Sequence, residues 1–341
     1  MVKVDEAKVD EVHQKAIIID GRDPTHLMFI FTREEKPDYY TSIKEGGLTA
    51  ILVDAAWLND RFSDMARSFA TWYTRVSERS NDLCIALSAK DIRKAKQEGK
   101  TAFVLTTQNS DCFEEDVSLV PMARMLDLRC SQVVYQSKNP AGDGCDEKAD
   151  SGLSKFGVGL VHAFNKAHIV IDLSHAGPQT AMDTVVESKD PVVFSHSNAK
   201  VLCNAPRNCS DELLKALADR GGVVGASAYN PVIIPNGGET GATLDQFIDQ
   251  IDYMVNLIGI DHVGFGLDAG EGRSELEVKI LHSKAKGLGK APKFRYLEAL
   301  TPRRKLKNLT RGLLQRGYSE EDTLKILGGN FLRVFEEVWG E

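Results

Sequence analysis

A chain of 341 residues with 42% hydrophobic and 27% charged side chains carries enough apolar material for a large core, which excludes a disordered chain. Its 42 basic and 49 acidic side chains give a net charge of −7 with no long basic run. A nucleic-acid or anionic-membrane surface therefore has no electrostatic support, and the expected partner is a small molecule.

The first fifteen residues, MVKVDEAKVDEVHQK, are charged throughout and lack the apolar stretch of a signal peptide, and no later run approaches a membrane span, so a cytoplasmic chain is expected. From there, short β-branched runs alternate with segments of helical period. The runs fall at 16–20, 48–54, 101–107, 131–136, 168–172, 191–195, 222–227 and 262–266. Helical candidates lie between them at 62–80, 89–97, 118–126, 153–166, 180–188, 211–219 and 244–257. Eight such strand–helix pairs predict a closed α/β barrel, a (β/α)8 TIM barrel. After the eighth run, 269–300 is rich in Gly and Lys without a clear period and reads as a long βα loop. Residues 301–341 read as a C-terminal helical extension in which Pro302 opens one segment, Ser319 caps the next and Gly328-Gly329 interrupts it. No linker, repeat or low-complexity stretch divides the chain, so 1–341 is expected to form one domain. The cysteines at 84, 112, 130, 145, 203 and 209 contain no Cys-x-x-Cys pair and read as reduced thiols.

Barrel enzymes draw catalytic residues from the carboxyl ends of their strands. Here those ends read Asp20-Gly21-Arg22-Asp23, Asp54, Thr107-Gln108-Asn109, Tyr135-Gln136, Ser174-His175, Ser195-His196, Tyr229-Asn230 and Leu267-Asp268. Two of them repeat one pattern, an apolar run stopping on Ser-His. Parallel strands sit about 5 Å apart, so His175 and His196 on neighbouring strands can share one metal ion or one small polar group, and imidazole is the commonest metal ligand. With Asp268 after the eighth run they compose a hydrolytic set: histidines for a metal, and a carboxylate to carry a proton.

These residues also carry a resemblance. The stretch 172–225, with its DLSH, PVxFSHS, PRN and GG-x-V elements, is similar to the membrane (renal) dipeptidases, the M19 metallopeptidase family of metal-dependent amidohydrolase-type barrels. GGLTA at 46–50, 152–166, HVGFGLD at 262–268 and GGNFLRVFEEV at 328–338 support it. The resemblance implies zinc ligation by His175 and His196, proton transfer by Asp268, and a substrate carboxylate held by Arg207 in Pro206-Arg207-Asn208, with Tyr229 lining the same pocket. It further implies a small dipeptide or related carboxylated amide as substrate, and a homodimer.

Departures from the family pattern fall on its metal ligands. Where the family has DGHND this chain has Asp20-Gly21-Arg22-Asp23-Pro24, so Arg22 and Pro24 replace a histidine and an aspartate. Gln108 stands for the bridging glutamate, and Gln136 for a histidine that binds the scissile group. Three readings follow. One zinc ion is held by His175 and His196 with Gln108 or water, and Arg22 supplies a fixed charge in place of the second ion. Alternatively two ions are kept by recruiting Asp20, Asp23 or His26. The third reading is a non-hydrolytic small-molecule binding protein on the same scaffold, and the substrate-binding residues expected of the hydrolase are Arg207, Tyr229, Gln136, Arg22 and Asn208.

Overall fold

The computed structural model describes residues 2–25, 37–272, 277, 293 and 295–340. Nine parallel strands lie in one sheet: β1 (Ile19–Asp23), β2 (Ala50–Ala56), β3 (Leu83–Ile85), β4 (Thr101–Thr107), β5 (Cys130–Gln132), β6 (Val170–Asp172), β7 (Val193–Phe194), β8 (Val223–Ser227) and β9 (Val263–Gly266). Their order is β1-β2-β4-β5-β6-β7-β8-β9. The sheet curls until β9 meets β1, where the Asp268 N–H donates to the Arg22 carbonyl at 3.2 Å and the Leu267 N–H to the Asp20 carboxylate at 2.8 Å. The result is a nearly closed eight-strand TIM barrel wrapped by helices.

The expected strands and helices are present with ends moved by a few residues, and β3 is added to them. It pairs with Thr101–Phe103 of β4 while β5 pairs only with Thr106 and Thr107. The short β5 thus leaves the lower half of β4 unmatched on that side, and the extra strand satisfies those backbone groups. The helix Glu6–Lys15 was also not foreseen, because most of its residues are charged and its apolar contribution is Val9 and Val12, too narrow a stripe to show a period. Several helices begin as their sequences direct: Ser88 with Asp91 and Thr243 with Gln246 form capping boxes, and Ser154 and Ser210 are side-chain caps. Among the described residues no helix is long and apolar enough to cross a membrane.

The C-terminal segment is built into the barrel. Its last helix, Asn330–Trp339, packs Phe331, Phe335 and Trp339 against Ile19, Leu52, Val104, Val170, Val193 and Val223, closing the amino end of the lumen. Gly21 on β1 and Gly225 on β8 leave room above that plug. A Cβ at either would run into the Ser195 carbonyl and stand just over 3 Å from the Phe331 ring. The apolar floor confines the polar residues of the barrel to its carboxyl end.

Candidate active site

The carboxyl end of the barrel carries polar side chains in two layers. The lower is organised around Arg22, only 1% exposed. Its Nη1 donates to the Asp54 carboxylate on β2 and to the Thr106 hydroxyl on β4 at 3.0 Å, and its Nη2 stands 3.7 Å from Asp172 on β6. A side chain from β1 that meets β2, β4 and β6 lies across the lumen. Burial pushes Asp54 up to about 7 despite the facing guanidinium.

A second buried arginine comes from the C-terminal segment. Arg303 Nε bonds Asp20 at 3.1 Å, Nη2 pairs with Asp23 at 3.2 Å, and Nη1 reaches Glu271 at 3.3 Å and the Ala269 carbonyl at 3.0 Å. Asp23 also accepts the Tyr39 hydroxyl. Asp20, raised by burial to about 6, takes the Leu267 N–H besides. The two carboxylates that could have replaced the altered metal ligands are thus committed to Arg303 and to barrel closure. His26, the third candidate for that role, lies outside the described residues.

The upper layer is the histidine pair. His175 Nε2 and His196 Nε2 face each other at 3.1 Å. The Ser195 hydroxyl donates to Asp172 at 2.5 Å, so its oxygen accepts from His196 Nδ1 at 2.7 Å, and the lone pair of His196 is left on Nε2. Asp172 itself is held by Gln132 Nε2 at 2.9 Å and by the backbone N–H groups of Ser174 and Ser195. Burial, reinforced by the charges of Arg207 and Arg22, holds both imidazoles well below the ordinary histidine value, so both are neutral at pH 7. His175, Gln136 and Asp268 all adopt left-handed backbone, φ +74°, +40° and +51°. Strain of this kind in non-glycine residues concentrates at functional sites.

Around this pair the other sequence candidates divide. Arg207 and Asp268 are joined, Nη1 to carboxylate at 3.3 Å, while Arg207 Nη2 donates to the His196 carbonyl at 3.0 Å. Tyr229 forms an isolated bridge with Tyr296, and its hydroxyl is raised mainly by burial, with Arg207 and Asp268 close enough to act on it. Gln108 is buried at the end of β4, its N–H on the Ala56 carbonyl, and its side chain makes no hydrogen bond among the described residues. The Gln136 carbonyl accepts from Asp146 at 2.8 Å, which fixes the loop after β5. The Asn208 amide donates to the carbonyls of Cys203 and Val232, both at 2.8 Å, and braces the loop, while its Oδ1 is buried without a hydrogen-bond partner among the described residues.

Sequence reasoning missed Tyr135, Trp57 and Arg303. The Tyr135 ring lies 4.1 Å from that of His175, and Trp57 packs edge-on against Tyr135 at 5.6 Å. Tyr135 lies at the end of the run 131–136 and Trp57 directly after β2, positions that could have found them; Arg303 sits in a helical tail and carries no such signal.

Zinc would fit the histidine pair. Two Zn–N bonds of about 2.0–2.1 Å at a tetrahedral angle place their nitrogens roughly 3.3 Å apart, close to the 3.1 Å observed, and the Ser195–Asp172 chain gives His196 the outer-shell partner that ligating histidines commonly have. Among the described residues nothing offers a second set of ligands. Arg22 occupies the lumen beside the pair, and among the described residues no group of three or more His, Cys, Asp or Glu side chains is placed to hold a metal. Among the described residues the two imidazoles are thus the His, Cys, Asp or Glu ligands on offer, and uncharged groups or water would complete the shell.

The sequence model of membrane dipeptidase, peptidase family M19, matches residues 8–280. An amidohydrolase from Pseudomonas aeruginosa superposes with a TM-score of 0.90 at 32% identity, over 98% of this chain and 99% of that one. An uncharacterized protein in the pqqA 5' region of Klebsiella pneumoniae is 27% identical over 271 residues, 77% of this chain and 92% of its own. The dipeptidase aclJ of Aspergillus oryzae is 31% identical over 223 residues, 65% of this chain, and the chain spans about half the length of this relative, 48%.

Proposed function

The chain belongs to the membrane dipeptidase family, peptidase family M19, and from that premise we propose a dipeptidase-like hydrolase that cleaves a small dipeptide or related carboxylated amide with one zinc ion. The observation that carries the reading is the facing pair of neutral Nε2 atoms, His175 and His196, beside a buried arginine in place of a second metal.

His175 and His196 would hold the zinc ion, which when bound would supply a Lewis acid for the scissile carbonyl and lower the pKa of water. The protein's own residues do the rest. Ser195 and Asp172 hold His196 with its proton on Nδ1, keeping Nε2 free to ligate. Asp268 has one carboxylate oxygen on Arg207 and the other without a hydrogen bond among the described residues. That free oxygen accepts the proton of the attacking water and delivers it to the departing amine nitrogen. Arg207 fixes the carboxylate for both transfers, and the aromatic wall of Trp57 and Tyr135 limits water at the mouth.

A non-hydrolytic binding protein is the second reading, favoured by the absence of a third acidic, His or Cys ligand among the described residues. One experiment separates the two: the zinc-loaded protein is assayed against dipeptides ending in L- or D-residues, before and after chelation. Hydrolysis that chelation abolishes and added zinc restores is expected, whereas binding without turnover by the zinc-loaded protein would reject hydrolysis.

A further inference from the structure

We propose that the substrate's carboxylate is taken at the barrel axis by the Nε/Nη2 edge of Arg22. The inference deepens the hydrolase reading above and rests on it only for treating the bound carboxylate as substrate.

Arg22 Nη1 is committed to Asp54 and Thr106. Its Nε and Nη2 are sealed from solvent and have no hydrogen-bond partner; the approach of Nη2 to Asp172, 3.7 Å, is too long for one. Buried charged donors left unpaired are costly, so a bare pair calls for a ligand. These two nitrogens form the planar edge of a guanidinium that matches the two oxygens of a carboxylate. The same chain uses this edge in that way elsewhere: Arg61 Nε and Nη2 grip Glu114 at 3.1 and 2.9 Å, and Arg311 Nε and Nη2 grip Glu6 at 2.7 and 2.8 Å. Arg22 presents the same edge with Asp172 at 3.7 Å from Nη2 and no carboxylate hydrogen-bonded to it.

Arg207 cannot offer a two-point grip in this arrangement. Its Nη1 is on Asp268 and its Nη2 on the His196 carbonyl, leaving Nε alone unpaired. Trp57 Nε1 is a further buried donor without a partner. A mouth with unpaired donors on β1, just after β2 and in the loop after β7 suits an acceptor-rich ligand. Charge agrees: Arg22 and Arg207 bring two fixed positive charges to the site, complementary to a carboxylate. The ligand class is therefore a small amide carrying one carboxylate, inserted carboxylate-first toward the axis.

The test is calorimetric titration of the zinc-loaded protein with N-acetylglycine and its uncharged counterpart N-acetylglycinamide. The wild type is expected to prefer the carboxylate by at least about tenfold, the size of a charge-assisted bidentate contact. Arg22→Lys, which keeps the charge opposite Asp54 and loses the planar edge, should erase the preference, while Arg207→Lys should keep it within about threefold. Should Arg22→Lys not fold, the double variant Arg22→Met with Asp54→Asn removes both ends of the buried pair and should also show no preference. Equal binding of both probes by the wild type, or a preference that survives loss of Arg22 and vanishes with Arg207→Lys, overturns the inference. Because the readout is binding, a chain that prefers the carboxylate without hydrolysing dipeptides refutes the hydrolase reading alone. Hydrolysis without any carboxylate preference refutes this inference alone.

Discussion

Arg303→Met is expected to leave little folded protein. Arg303 is completely buried and is the shared counter-charge of Asp20, Asp23 and Glu271. Removing one member of a buried ion pair costs about 3–5 kcal/mol because the partner charge is left uncompensated. Here three carboxylates lose one partner together, against a total stability of roughly 5–15 kcal/mol for a folded protein. Asp20 also carries the Leu267 N–H that helps close β9 on β1, so the damage falls at the seam of the barrel. The neighbouring Arg304→Met is the control. That side chain is 42% exposed and pairs with an exposed Glu45, so its loss should cost less than about 1 kcal/mol. Urea midpoints and soluble yield of the two variants decide the matter; equal losses would mean that the Arg303 cluster does not hold the barrel shut.

His196→Ala is expected to abolish both metal retention and hydrolysis, with a fall in turnover on the order of a thousandfold or more. The variant removes one of two facing imidazoles, and a lone His175 is no chelate. Ser195→Ala provides a graded comparison. It leaves both Nε2 atoms in place and removes the hydroxyl that joins His196 Nδ1 to Asp172, an outer-shell change worth about 10–100-fold in metal affinity. Metal retention should therefore rank wild type, then Ser195→Ala, then His196→Ala. If Ser195→Ala bound zinc as tightly as the wild type, the Ser195 hydroxyl would not be setting the tautomer.

Periodicity made much of this molecule readable. β-branched runs of five to seven residues mark the barrel strands, and Ser-His at the ends of two of them locates the histidine pair. β3 escaped because its stretch, Leu83-Cys84-Ile85-Ala86-Leu87, holds a single β-branched residue. The central layer escaped for a different reason. That Arg22 replaces a metal ligand is visible by resemblance, but its role needs Asp54, Thr106 and Asp172 from three other strands, and such a meeting is set by barrel closure, which no local pattern records. Asp20 and Asp23 looked available as replacement ligands for the same reason, since the arginine that binds them is some 280 positions away in a segment that reads only as a helical tail. The hydrogen bonds of the Asn208 amide to the Cys203 and Val232 carbonyls are likewise set by how the loop folds back on itself, which its neighbours in the sequence do not show.

A one-metal centre in which Arg22 stands in place of the second ion sets the metal content of the chain. The purified protein is loaded with excess zinc, freed of loose ion by gel filtration and measured by inductively coupled plasma mass spectrometry, beside the double variant His175→Ala with His196→Ala. About one zinc ion per wild-type chain and essentially none in the double variant is the predicted result. Two ions per wild-type chain, or an ion retained when both histidines are gone, would contradict it.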